Sequence, residues 1–197
     1  MTETHFTLFD TALGACAIAW RERCIVGVRL HEKTDERTRA KLLRQFPDAK
    51  EAAPPARIQK AIDDTIALIS GEKRHITDAP IDMSVVPDFN RRVYEIALAI
   101  PPGETMTYGA VAKAMGEEPM VARDVGVALG QNPFAPIVPC HRIVAANGKM
   151  GGFSAPGGTE TKIRLLTIEG AAVVATPAND PGLFDALPVA SKPRRRG

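Results

Sequence analysis

Short runs of branched and aromatic residues set the texture of the first thirty positions. Phe6-Thr7-Leu8-Phe9, Ala15-Cys16-Ala17-Ile18-Ala19-Trp20 and Cys24-Ile25-Val26-Gly27-Val28-Arg29-Leu30 read as strands, separated at Leu13-Gly14 and Arg21-Glu22-Arg23. Runs this short with turns this tight predict an antiparallel meander. Cys16 and Cys24 fall inside the runs and are expected in the core. The period then lengthens. A helix is predicted over 34–46, stopped by Pro47. A second is predicted over 55–70, stopped by Gly71, with Ile58, Ile62, Ile66 and Ile69 on one face. Residues 81–86 are expected to return as a strand. No repeat and no catalytic grouping stands out here, and this half reads as a support.

From Pro87 the pattern is helical. Asp88 is a candidate cap for a helix carrying Val93, Ile96, Ala97 and Ile100, which stops at Pro101-Pro102-Gly103. Thr107 caps a short helix from Tyr108 to Met115, ended by Gly116. Pro119 suits the first turn of the next, which runs to about Gly130. Two short helices joined through Gly116-Glu117-Glu118 have helix-turn-helix proportions, as many helical hairpins do. The second is nearly bare of long side chains: Val121, Ala122, Val125, Gly126, Val127, Ala128 and Gly130, with Arg123 the main projection. Gly126 costs such a helix about 1 kcal/mol against Ala. Small residues let a backbone approach another surface closely, either a DNA groove or a neighbouring helix.

Composition narrows the class. The 197 residues, 45% apolar and 24% charged, suit an ordinary globular protein of one or two domains. No apolar run reaches membrane-spanning length, and Met1-Thr2-Glu3-Thr4-His5 lacks the layout of a secretion signal, so a cytoplasmic location is expected. Three irregularly spaced cysteines do not make a disulfide framework. Cys16, Cys24, His5, His31 and His75 match no zinc spacing, so no structural metal is expected. Residues 1–90 carry 13 basic and 14 acidic side chains, and residues 91–197 carry 12 and 9. The positive tilt of the second half is compatible with a polyanionic partner. Part of it is Lys192-Pro193-Arg194-Arg195-Arg196, which reads as a solvated tail.

The densest chemistry lies in Ile137-Val138-Pro139-Cys140-His141-Arg142-Ile143-Val144, preceded by Asn132-Pro133. Arg and His rarely sit within a buried apolar run unless they are paired. On its own the stretch also fits a buried structural cysteine beside a surface His-Arg turn. Glu169 ends a helix predicted over 161–169, just before a Gly170 cap. The helix dipole disfavours a carboxylate there by roughly 0.3–1 kcal/mol, so a basic partner is expected.

Pro139-Cys140-His141-Arg142, Asn132-Pro133, Thr107-Tyr108-Gly109, Ala122-Arg123-x-Val125-Gly126 and Leu165-Leu166-x-x-Glu169-Gly170 stand in one order and spacing. In this the chain resembles the O-6-alkylguanine-DNA alkyltransferases, also called methylated-DNA–protein-cysteine methyltransferases. The match is dense from about Asp88 to Gly170 and looser before it. The resemblance implies an α+β chain. Residues 1–86 would be a ribonuclease H-like support with a small antiparallel sheet, 87–172 a winged-helix/helix-turn-helix alkyltransferase domain, and 173–197 a tail. It implies repair of O-6-alkylguanine, with O-4-alkylthymine as a further candidate, flipped from double-stranded DNA through the minor groove. The alkyl group would pass irreversibly to Cys140, once per molecule, in a monomer with no cofactor. By the same resemblance His141 is the general base, acting through a bridging water, and Glu169 orients it. Tyr108 protonates the leaving guanine, Asn132 braces the turn around the cysteine, and Ser154 helps bind the base. Arg123 fills the space the base leaves, while Ala122, Gly126 and Tyr108 meet the DNA.

The chain departs from the family pattern at Asp124, where a small residue is usual, and in the long Gly/Pro-rich loop 151–158. Three other readings fit parts of the sequence. An alkyltransferase-like lesion binder would lack the cysteine. A cysteine hydrolase built on Cys140, His141 and Glu169 would need an oxyanion loop and would leave the helical hairpin unexplained. A helix-turn-helix regulator would prefer undamaged operators to lesions.

Overall fold

The computed structural model describes residues 2–146 and 150–172. The predicted meander is β1 (Thr4–Phe9), β2 (Cys16–Arg21) and β3 (Cys24–Arg29), paired antiparallel. A short fourth strand, β4 (Lys50–Glu51), joins β1 in parallel and gives the order β3-β2-β1-β4. Two charged residues carry no strand pattern, which is why β4 was not legible beforehand. β2 is buried almost throughout because both faces of the sheet are covered. Ile18 and Trp20 face one apolar cluster, while Ala17 and Ala19 face another with Phe6, Val26, Leu42 and Phe46. The second face needs small residues: a Cβ at Gly27 would stand 2.8 Å from the Phe46 ring.

Helix α1 (Asp35–Gln45) supplies Leu42 and is capped by Thr34, whose Oγ1 accepts from the Arg37 N–H at 3.3 Å. Helix α2 (Ala56–Ile69) buries Ile58, Ile62 and Ile69 as predicted, but Ile66 lies only partly inside. Two expectations fail in this half. Cys24 is exposed at the start of β3 rather than in the core. The strand expected over 81–86 is reduced to a single bridge between Ile25 and Ile81. Asp82 Oδ1 accepts from the Ser84 N–H at 3.0 Å and from the Ser84 hydroxyl at 2.5 Å, a local turn that competes with further pairing.

Helix α3 (Asp88–Ala99) has Pro87, not Asp88, at its cap position; Asp88 lies in the first turn and pairs with Arg91 at 2.9 Å. Helix α4 (Tyr108–Ala114) is capped by Thr107. After a 3-10 turn, Pro119–Val121, comes α5 (Ala122–Gly130). The small residues of α5 turn inward: Val125, Gly126 and Ala128 are buried. They let α5 pack closely on α3 and α4, and Tyr94 on α3 donates to the Ala128 carbonyl at 2.8 Å. Two-residue strands β5 (Met106–Thr107) and β6 (Ile143–Val144) pair in parallel. Helix α6 (Thr159–Ile168) ends in a closed cap. Gly170, at φ +75°, donates to the Thr167 carbonyl at 3.0 Å, and Ala171 donates to the Leu166 carbonyl at 2.9 Å.

One apolar cluster joins the sheet to the helices, running from Ile18, Trp20 and Ile58 to Val93, Val125 and Cys140. The architecture is mixed α+β, a small sheet with helices. No helix among the described residues is long and apolar enough to cross a membrane. The tail expected over 173–197 lies outside the described residues.

Candidate active site

Cys140 is held by a loop that the sheet itself anchors. The Val28 N–H on the edge of β3 donates to the Pro133 carbonyl at 2.7 Å. Next to that anchor, Asn132 makes two bonds: its Oδ1 accepts from the Phe134 N–H at 2.9 Å, and its Nδ2 donates to the Val138 carbonyl at 2.8 Å. These bonds close the loop between α5 and the 3-10 turn Cys140–Arg142. Cys140 opens that turn, only 6% exposed. Burial pushes its thiol pKa up, against the lowering effect of Asn132 and of the nearby Lys162 charge. The resting sulfur is therefore a thiol, and ionisation needs a base at the moment of reaction.

A candidate base is the next residue in the chain. His141 is fully buried, and its Nε2 lies 2.8 Å from Glu169 Oε1. Burial holds the imidazole below its usual pKa in spite of Glu169, so it is neutral near pH 7. Burial works against the Glu169 carboxylate too, but bonds from His141 and Arg142 hold its pKa down at about 2. A carboxylate only accepts, so Nε2 must carry the ring proton and Nδ1 the lone pair. His141 Nδ1 is buried without a hydrogen-bond partner among the described residues. The third member is Arg142, whose Nε and one terminal nitrogen each reach Glu169 at 2.8 Å. Its other terminal nitrogen donates to the Ile100 carbonyl at 2.6 Å. A lone buried carboxylate at a helix C-terminus would be costly, and this fork offsets it.

On its other side Cys140 borders a cavity of about 410 Å³, lined by Tyr108, Gly126, Leu129, Gly152, Phe153 and Ser154 among others. The Tyr108 hydroxyl has only a long contact, 3.5 Å, to the Gly152 carbonyl. Burial, with the Cys140 charge adding to it, pushes its pKa up to about 12, so it stays protonated. Lys162 reaches beneath the ring, its Nζ 5.7 Å from the centroid, and donates to the Ile143 carbonyl at 2.6 Å. Burial brings this ammonium down to about 8. Ser154 is exposed at the cavity mouth. The whole cavity is apolar with a few polar atoms at its end, the usual make-up of a small-molecule site.

The structure thus gathers Cys140, His141, Glu169, Asn132, Tyr108 and Ser154 around one point. Arg123 lies apart, exposed on α5 with no hydrogen bond or ion pair among the described residues. Asp124 is exposed beside it and Ala122 is half-buried. Gly126 does not belong to an outward face. It is buried and lines the cavity, because α5 spends its small residues on close packing inside the protein. Sequence reasoning missed the partnership of Arg142 and the site position of Lys162. A signal existed for Lys162, since Lys162, Leu165, Leu166 and Glu169 fall at helical spacing on one buried stripe of α6. Among the described residues no three His, Cys, Asp or Glu side chains gather to hold a metal ion.

Comparison with known proteins gives the family. Residues 88–171 match the family model described as the 6-O-methylguanine DNA methyltransferase DNA-binding domain. A methylated-DNA–protein-cysteine methyltransferase of Mycobacterium bovis is 36% identical over 165 residues, spanning 84% of this chain and 92% of the relative. A DNA base-flipping protein of Thermus thermophilus is 35% identical over 152 residues, spanning 77% and 92%. The crystal structure of Mycobacterium tuberculosis OGT in complex with DNA matches with a TM-score of 0.68 at 34% identity, covering 84% of this chain and 92% of that one. At this identity, sustained over nearly the whole length of its relatives, the chain belongs to the methylated-DNA–protein-cysteine methyltransferase family.

Proposed function

We propose that this protein binds double-stranded DNA through the minor groove, flips out O-6-alkylguanine and moves the alkyl group to its own Cys140. O-4-alkylthymine is a second substrate in this reading. The observation that carries it is a buried cysteine forming the wall of an apolar, base-sized cavity, with a neutral imidazole and its carboxylate behind it. Residues 1–86 act as a ribonuclease H-like support, and 87–172 as the winged-helix/helix-turn-helix part that handles DNA. Arg123, exposed and unpaired, enters the duplex where the base was. In this reading the protein works as a monomer in the cytoplasm, a compartment that keeps thiols such as Cys16, Cys24 and Cys140 reduced.

The chemistry follows from the proton inventory. A water between Sγ and Nδ1 carries the thiol proton to His141, and Glu169 stabilises the imidazolium that forms. The thiolate attacks the alkyl carbon in line, the S–C bond forming as the bond from carbon to O-6 breaks. Guanine leaves with the electron pair and takes a proton from the Tyr108 hydroxyl. The Lys162 ammonium faces the phenolate charge that develops. Asn132 keeps Sγ aimed by fixing the Val138 carbonyl. The product is a thioether that water does not cleave, so each molecule acts once. A non-catalytic binder would have no use for a thiol set against a base in this way.

The test is intact-protein mass after incubation with a duplex containing O-6-methylguanine. One methyl per chain, mapped to the Cys140 peptide, is expected, and Cys140→Ser should bind the lesion without gaining mass. Methylation at Cys16 or Cys24, or repeated turnover, would overturn the reading.

A further inference from the structure

The helical hairpin that handles DNA in the reading above is short of positive charge. Residues 116–131 carry one cation, Arg123, against Glu117, Glu118 and Asp124. Among the described residues only Glu117 of these three has an ion-pair partner, Arg92 at 3.0 Å. Attraction to phosphates is therefore weak at this surface, and close contact with a duplex needs another source.

The outer face of α5 offers one. The Ala122 N–H donates to the Pro119 carbonyl, so the 3-10 turn runs into α5 without a break. Met120, Arg123 and Val127 then stand three and four residues apart, on one side of a continuous helix. Met120 is 83% exposed and Val127 44%. Among the described residues only Val85 is also a large apolar side chain left exposed, so two of three flank Arg123. A single exposed apolar residue needs no explanation, but two around an unpaired arginine make an apolar stripe with a cation at its centre. The stripe continues into the cavity beside Cys140, which Val127 and Gly130 also line.

On the reading that α5 faces the minor groove, we propose that Met120 is a second inserting side chain, an apolar wedge that opens a base step near the nucleotide Arg123 displaces. A methionine is unbranched and polarizable, and it enters between two base pairs without a hydrogen bond to satisfy. Three residues at a rise of roughly 1.5–2.0 Å each set Met120 about 5 Å from Arg123 along the helix. That distance lies within two base steps of about 3.4 Å. Opening such a step removes stacking beside the target base and lowers the cost of turning it out. The wedge works whatever the flanking sequence, because it meets the faces of bases and not their edges.

The experiment measures single-turnover transfer from O-6-methylguanine in a duplex and in the same strand alone, for the parent, Met120→Ala, Met120→Leu and Arg123→Ala. Met120→Ala should slow duplex transfer about tenfold, roughly what burial of such a side chain contributes. Transfer from the single strand, which has no paired step to open, should stay within about twofold, and Met120→Leu should regain most of the duplex rate. The salt dependence of duplex affinity should not change, since an apolar contact releases no counterions. In a Cys140→Ser background, 2-aminopurine two positions from the lesion, on one side or the other, should brighten on binding, and Met120→Ala should abolish this. An unchanged duplex rate for Met120→Ala, an equal loss with the single strand, or a probe that stays dark with Met120 in place would each overturn the wedge. If Arg123→Ala also leaves the duplex rate unchanged, the placement of α5 at the DNA falls with it.

Discussion

Replacing Glu169 by Gln keeps the shape of the side chain and removes its charge, which isolates what that charge does. In the parent the carboxylate takes two bonds from Arg142 and one from His141, each 2.8 Å, in a place where all three side chains are buried. Its pKa falls from 4.5 to about 2 on folding, which corresponds to about 3 kcal/mol of stability near neutral pH. Breaking a buried ion pair by removing one partner gives a similar figure, roughly 3–5 kcal/mol, because the Arg142 charge stays behind. The sign of the pH dependence is fixed: a carboxyl lowered on folding stabilises above pH 4.5 and loses that contribution as pH falls towards 2. As pH falls the buried His141, held below its ordinary pKa, also costs stability, and it costs the variant more because Glu169 no longer supports its charge. The clean comparison is therefore at neutral pH. Urea unfolding followed by the single tryptophan, Trp20, at pH 7 reads it. Glu169→Gln should be less stable by about 3 kcal/mol at pH 7. A difference under about 1 kcal/mol at pH 7 would refute the account of this triad. Below its unfolding midpoint the same variant should transfer alkyl more slowly with little change in DNA affinity, since in the proposed mechanism Glu169 holds His141 and does not line the cavity.

Two further outcomes follow from the proton and charge inventory. His141→Ala should slow transfer at neutral pH, and the rate should recover in part at higher pH as the raised thiol ionises without help. Equal rates for variant and parent at pH 7 would remove His141 from the mechanism. Arg123→Ala should impair repair of duplex DNA more than reaction with free O-6-benzylguanine, which requires no flipping. Equal losses with both substrates would place its effect in the site chemistry instead.

Local signals carried a good part of this protein. Thr107 announced a helix start because a hydroxyl beside a free N–H is an interaction within one turn, and Gly170 announced the end of α6 for the same kind of reason. The Pro139-Cys140-His141 stretch stood out as polar groups within an apolar run, but on its own it also fitted a structural cysteine, and the roles proposed for it came from the family resemblance. Local signals also misled: Asp88 could cap a helix, but Pro87 holds that position, and the apolar residues around Ile81 could pair, but the Asp82–Ser84 turn diverts them. What the tertiary structure alone decided were the pairings between distant segments. Arg142 and Glu169 are both charged and both unsuited to a core, and only their meeting makes either tolerable there. The direction of α5 was decided in the same way. Its small residues were suited to a groove or to a neighbour, and in the folded chain they pack on α3 and α4, where Tyr94 donates to the Ala128 carbonyl. Arg29 read as the end of a strand until the loop carrying Asn132 and Pro133 docked on the edge of β3 and set that arginine facing a second cavity that Cys140 also lines. A charge or a small face specifies what it needs nearby, and only the packed chain specifies which neighbour supplies it.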